Sequence, residues 1–135
     1  MEQILPLDRK DAQTRAVIGA AMNVHRILGP GFLEAVYQEA LAVEFDKCHV
    51  PFRREADFAV QYRGILLHSR FRVDFLCFDD ILVELKALQK VTSCEESQVL
   101  NYLKASGRSR ALLLNFGASS LGFKRFIGPK RSESV

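Results

Sequence analysis

Asp74, Glu84 and Lys86 stand inside Phe71-Arg-Val-Asp-Phe-Leu-Cys-Phe-Asp-Asp-Ile-Leu-Val-Glu-Leu-Lys-Ala87, a run otherwise apolar enough to read as two buried strands. A charge in a sheet core costs several kcal/mol unless a partner or a metal compensates it. Two carboxylates directly opposite one another repel, by roughly 0.2 to 1 kcal/mol for a cross-strand pair and by more when desolvated. A divalent cation reverses that sign. Hard oxygen ligands of this kind suit Mg²⁺ or Mn²⁺, which keep several waters and bridge to a substrate phosphate. Lys86, two residues beyond Glu84 and so on the same strand face, could orient or deprotonate a water or balance charge in a phosphoryl transition state. A plain carboxylate-lysine ion pair at a sheet edge would use the same residue types without any chemistry.

Whether the acids meet depends on the turn between the strands, because side chains alternate faces. A two-residue Asp79-Asp80 turn would pair Phe78 with Ile81 and put the carboxylates on opposite faces. A three-residue loop, Phe78-Asp79-Asp80, pairs Cys77 with Ile81 and sets Asp74 across from Glu84. That loop is the expectation, with Asp80 as the residue best able to adopt a left-handed conformation at its end.

The surrounding elements follow from periodicity. Val17, Ala20, Ala21, Val24, Ile27 and Leu28 mark one face of a helix from Asp11 to Leu28, which Gly29-Pro30-Gly31 should end. A second helix is expected to open near Gly31 and carry Leu33, Val36, Tyr37, Ala40, Leu41 and Phe45. Phe58, Val60 and Tyr62 alternate up to Arg63-Gly64, which reads as a hairpin turn into Ile65-Leu66-Leu67. Thr92-Ser93 can cap a helix through Val99, Leu100 and Leu103 that closes at Gly107, and Arg110 to Phe116 supplies a last core strand. The order implies an α/β fold, a mixed central sheet flanked by helices.

At 135 residues, 48% apolar and 26% charged, the chain fits one globular domain spanning 1–135. The apolar runs, such as Ala111 to Leu114, are no longer than four residues and too short for a membrane span, and Glu2 and Asp8 stand where a signal peptide would be basic, so a cytoplasmic location is expected. Cys48, Cys77 and Cys94 are odd in number and widely spaced, which favours reduced, mostly packed thiols. Net charge is +3, yet residues 97–132 carry Lys104, Arg108, Arg110, Lys124, Arg125, Lys130 and Arg131 without an acid, with a basic C-terminal tail expected from about residue 118. Such asymmetry suits a polyanionic partner, or a tail that only aids solubility. His25, between the first helix and the Gly-Pro-Gly turn, reads as a half-buried, hydrogen-bonded residue; His49 and His68 have no evident partners.

Asp74 with Glu84-Leu85-Lys86 resembles the paired acid and E-x-K element of the PD-(D/E)xK nuclease superfamily. Gly31-Phe-Leu-Glu-Ala-Val-Tyr37 is similar to the G-x-x-E-x-x-Y signature of a small bacterial family within it, as are His25-Arg-Ile-Leu-Gly-Pro-Gly31, Val83-Glu-Leu-Lys-Ala87, Gln98-Val-Leu-Asn-Tyr-Leu103 and Leu113-Leu-Asn-Phe-Gly117. The resemblance implies a restriction-endonuclease-like core, about four strands between helices, and a Mg²⁺-dependent phosphodiesterase site. It puts Glu34, on an early helix, beside the metal, and turns Gln98 and Tyr102 towards the site. Helical spacing brings Glu34, Tyr37 and Gln38 onto one face; Glu34 would equally stabilise a helix start by about 0.3 to 1 kcal/mol. Where many relatives have a His-Glu pair, this chain reads Glu95-Glu96.

The expected activity is therefore a metal-dependent nuclease acting on DNA or RNA. Asp74, Glu84, Glu34 and the Leu85 carbonyl would hold Mg²⁺ or Mn²⁺; Lys86 and Gln98 would serve the chemistry; Tyr37, Tyr102, Lys104 and Arg108 would contact the substrate. No membrane partner is expected, and a homodimer is left open. Two rivals are a non-catalytic module that holds nucleic acid or protein on the same scaffold, and a small-molecule phosphohydrolase, which would need a closed apolar pocket rather than an open cleft.

Overall fold

A computed structural model describes residues 9–128. Helix α1 (Arg9–Leu28) leads into α2 (Glu34–Lys47), followed by β1 (Phe52–Tyr62), β2 (Ile65–Cys77), β3 (Ile81–Lys86), α3 (Ser93–Ser106), β4 (Arg110–Asn115) and β5 (Gly122–Ile127). The strands form one mixed sheet in the order β1-β2-β3-β4-β5, with only β3 and β4 parallel. That parallel pair needs a crossover, which α3 supplies.

Alternation along the central strands builds two cores. Phe75, Cys77, Ile81, Val83, Leu85, Leu112 and Leu114 face Val17, Ala21, Tyr37, Leu41 and Phe45 of α1 and α2. Leu76, Leu82, Ala111, Leu113 and Phe126 face Val99 and Leu103 of α3. The expected α/β sheet flanked by helices is therefore present. Among the described residues, no helix is long and apolar enough to cross a membrane.

Several local expectations are corrected. The runs beginning at Ile65 and Phe71 are one 13-residue strand, because the β1 partner continues alongside both. Helix α2 starts at Glu34, three residues after Gly31, since Gly29 and Gly31 have φ of +69° and +114°, outside the helical region. Leu33 and Val36 consequently lie outside the core, as does Leu100 of α3. The basic stretch after residue 118 is not simply a tail. Residues 122–127 form β5, paired antiparallel with β4 from Asn115↔Gly122 to Arg110↔Ile127; its Phe123 and Phe126 do not alternate, so the strand was hidden behind its charges. Lys130 and Arg131 lie outside the described residues. Of the three free thiols only Cys77 is packed, while Cys48 and Cys94 are exposed.

The α3 expectation holds. Thr92 accepts from the Cys94 amide, Glu95 reaches back to the Thr92 amide, and Gly107 closes the helix with φ of +72°. His25 is buried and its Nε2 donates to the Ala118 carbonyl at 2.9 Å, tying α1 to the β4–β5 loop.

Candidate active site

The β2–β3 turn has the three-residue form: Cys77 pairs with Ile81, Leu76 with Leu82 and Phe75 with Val83. Its left-handed residues are Phe78 and Asp79, with φ of +54° and +55°, rather than Asp80. Asp80 instead spends its carboxylate on the neighbouring connection, accepting from the Ser109 amide at 3.0 Å and Arg110 Nε at 2.8 Å.

Beyond the Phe75–Val83 pair, side chains replace the ladder. The Asp74 amide donates to Glu84 Oε1 at 2.9 Å, and the Leu85 amide donates to Asp74 Oδ2 at 2.8 Å. Each carboxylate thus fills the backbone bond that its partner strand would otherwise make, which fixes both acids in the seam between β2 and β3. From α2, Gln38 Nε2 donates to Asp74 Oδ1 at 2.7 Å, and Arg54 Nε on β1 donates to Gln38 Oε1 at 2.8 Å. Lys86 Nζ stands 3.5 Å from Gln98 Oε1 on α3, long for a hydrogen bond.

The end of β3 is held from β4. Asn115 bonds both the amide and the carbonyl of Leu88 at 2.9 Å, and the Phe116 amide donates to the Lys86 carbonyl at 2.8 Å. A side chain at Gly117 would bring its Cβ to 2.4 Å from Leu88 backbone atoms, so this approach requires glycine.

Glu84 is buried, and its carboxyl is pushed up to about 8, first by burial and then by the adjacent Asp74 carboxylate. Lys86 lowers it by less than these raise it. The pair is therefore short of positive charge. Burial and the same two carboxylates also raise the Tyr102 hydroxyl, whose ring stacks on Phe71 with centroids 4.4 Å apart. Among the described residues no cluster of three or more His, Cys, Asp or Glu is poised around one metal position. Two adjacent hard carboxylates with a shortage of countercharge nevertheless fit Mg²⁺ or Mn²⁺, which take the remainder of their shell from water.

The structure gathers Asp74, Glu84, Leu85, Lys86 and Gln98, with Tyr102 close by. Glu34, the first residue of α2, is exposed and lines an open, mostly polar cleft of about 280 Å³ with Gln38, Glu55, Arg72, Val73, Asp74 and Glu84. Tyr37 does not join them: it has no exposed surface, its hydroxyl donates to the Gly29 carbonyl at 2.5 Å and accepts from the Phe32 amide at 3.2 Å, and it stacks on Phe116. It holds the loop that delivers Glu34. Tyr37→Phe should cost about 1 to 3 kcal/mol in urea denaturation by orphaning the Gly29 carbonyl and Phe32 amide; a loss below about 0.5 kcal/mol would contradict this role.

The basic residues also separate. Arg108 sits at the opposite end of β3, bonded to the Asp79 carbonyl at 3.1 Å and paired with its carboxylate at 3.3 Å. Lys104 lies between, on the exposed side of α3. Arg110 is buried against Asp80, Thr14 and Gln13. Sequence reading missed Arg54, whose role depends on the register of β1, and gave Gln38 only a shared face with Glu34, a spacing that was the available signal.

A family model described as the PD-(D/E)XK nuclease superfamily matches residues 11–126. Among solved structures, the crystal structure of SSO0001 is similar in fold, with a TM-score of 0.58 and 13% identity over 97% of this chain and 71% of that one. No curated protein matches.

Proposed function

The chain belongs to the PD-(D/E)XK nuclease superfamily, and from that premise we propose that it is a divalent-metal-dependent nuclease hydrolysing phosphodiester bonds in DNA or RNA, acting as one domain of the G-x-x-E-x-x-Y type. The observation that carries this reading is the pairing of buried Glu84, its carboxyl pushed up by burial and by its neighbour, with half-buried Asp74 in the seam between β2 and β3. In this proposal Asp74, Glu84 and the Leu85 carbonyl would hold Mg²⁺ or Mn²⁺, with Glu34 reaching the same cleft from α2. The ion would polarise a phosphate and lower the pKa of its water.

The side chains do the rest. Gln38, itself held by Arg54, donates to one Asp74 oxygen while the Leu85 amide donates to the other, which sets the orientation of the carboxylate. Lys86 projects an ammonium beside Glu84, where it can orient an attacking water and answer developing charge on a phosphate, and Gln98 positions that ammonium from α3. Tyr102 and Lys104 continue along α3 as contacts for the polymer backbone. An open polar cleft suits a polymer better than an enclosed metabolite.

The test is cleavage of labelled DNA and RNA panels with Mg²⁺ or Mn²⁺ by the wild type and by Lys86→Ala. The variant should cleave about 10²-fold or more slowly while melting as a folded protein. Full-rate cleavage by the variant would sink the assignment, and no cleavage by the wild type would leave a binding module.

A further inference from the structure

Strands β1 and β2 run 11 and 13 residues, whereas β3, β4 and β5 have six each. The surplus is a two-stranded arm, residues 59–70, that leaves the sheet beyond the stacked Phe58 and Phe71 rings. An isolated two-stranded ribbon is marginal in water. This one also exposes Tyr62 at 61%, Ile65 at 65% and Leu66 at 60%. Tyr62 and Ile65 are cross-strand partners, so they share one face; Gln61 and Leu66 share the other.

Charge singles out the occupant. Between Asp57 and Asp74 the sequence holds Arg63, His68, Arg70 and Arg72 and no acid. Arg72 is taken by Asp57 and Glu55 at the base, while exposed Arg63 and Arg70 form no ion pair among the described residues. A second copy docking arm to arm would juxtapose these cations with no arm carboxylate to answer them; a polyanion supplies the missing charge along its length.

We propose that this arm is a duplex-binding ribbon that seats in a nucleic-acid groove within one helical turn of the carboxylates. The proposal rests on the nuclease reading and names its substrate as a duplex. From Val73↔Ala56 to Ile65↔Tyr62 the ladder takes eight residues of β2 but six of β1, because β2 bulges opposite Ala59 to Gln61, so the tip lies about 23 Å from Asp74 at the rise of a strand, within one turn of B-form DNA. A two-stranded ribbon fits the major groove, and its apolar face can lie on sugars or thymine methyls. Between the arm and α3 lies a groove of about 530 Å³ lined by Ala59, Gln61, Leu66, Asn101 and Lys104, which places a further cation beside the arm on the face opposite Arg70, since Phe71 stacks on Tyr102 of α3.

The experiment measures fluorescence anisotropy of the full chain with a labelled duplex of about 24 base pairs in EDTA, over a salt series, for the wild type and for Arg63→Ala with Arg70→Ala. The double variant should bind about 10- to 100-fold more weakly, with a salt slope reduced by about 2, and show no such deficit on a hairpin duplex of about 5 base pairs, too short to reach the tip. Sedimentation velocity should give the same mass for both. Unchanged affinity and slope overturn the arm alone, as does an equal loss on the single strand. A wild-type dimer that Tyr62→Ser with Leu66→Ser takes apart makes the occupant a second copy instead. A wild type that binds no nucleic acid overturns the functional reading as well, whereas intact binding with Lys86-independent cleavage overturns that reading only.

Discussion

Glu84→Gln is expected to reduce cleavage on the order of 10³-fold and, in the same protein, to raise the stability of the metal-free fold. Both effects have one origin. Burial and the Asp74 carboxylate raise the Glu84 carboxyl above its ordinary value of 4.5, to about 8. An acid whose pKa is raised by folding favours the fold while protonated, and that contribution is lost as pH climbs from about 4.5 through about 8. Gln keeps an oxygen to accept from the Asp74 amide and carries no charge. The gain should therefore be about 4 kcal/mol at pH 8, a rise of roughly 10 to 20 °C in Tm, and less than about 1 kcal/mol at pH 5. Saturating Mn²⁺ at pH 8 should raise the wild-type Tm, by about 2.7 kcal/mol at a hundredfold excess over Kd, and should leave the Gln variant nearly unmoved. Thermal melts at the two pH values, with and without the ion, check each part; a Gln variant less stable than wild type at pH 8 would show that Glu84 is a structural residue.

Arg110→Ala should produce the largest loss of stability, about 3 to 5 kcal/mol. The guanidinium is buried, donates to Asp80 at 2.8 Å and to Gln13 Oε1 at 2.8 Å, and so joins the β2–β3 turn, the start of β4 and helix α1. Burial alone would raise the Asp80 carboxyl, but the Ser109 hydroxyl and amide and the Arg110 guanidinium outweigh it and hold the group below its ordinary value. The stabilisation that this represents is full above that ordinary value and disappears as pH falls below it. Removing Arg110 leaves Asp80 with half its partners and opens a void beside Thr14. Urea denaturation at neutral pH measures the loss, and one below about 1 kcal/mol would remove Arg110 from this structural role. Nucleic-acid affinity per folded molecule should not change, because Arg110 is buried against Asp80 and α1.

These two residues show where local pattern suffices. For Glu84, the sequence carries the essential signal: a carboxylate in an apolar strand, two residues before a lysine, is anomalous wherever the strand lies. For Arg110, composition misleads, since seven cations in one stretch look alike until folding buries one, pairs Arg108 with Asp79 and Lys124 with Glu96, and weaves residues 122–127 into the sheet edge. Tyr37 fails in the same way. Its helical spacing from Glu34 is correct, yet the positive φ of Gly29 and Gly31 folds the loop back onto its hydroxyl.

The sequence by itself determined the helices, the strands at the centre of the sheet, the parity of the β2–β3 loop and so the meeting of Asp74 with Glu84 beyond it, because periodicity and burial preference act over a few neighbouring residues. Only the tertiary structure decided that Gln38 and Arg54 brace Asp74, that Arg108 and Arg110 belong to the far end of β3, and that a hairpin arm stands clear of the core. Those outcomes depend on strand register and on which surfaces meet, and the pairing of residues dozens of positions apart leaves no trace in a local pattern.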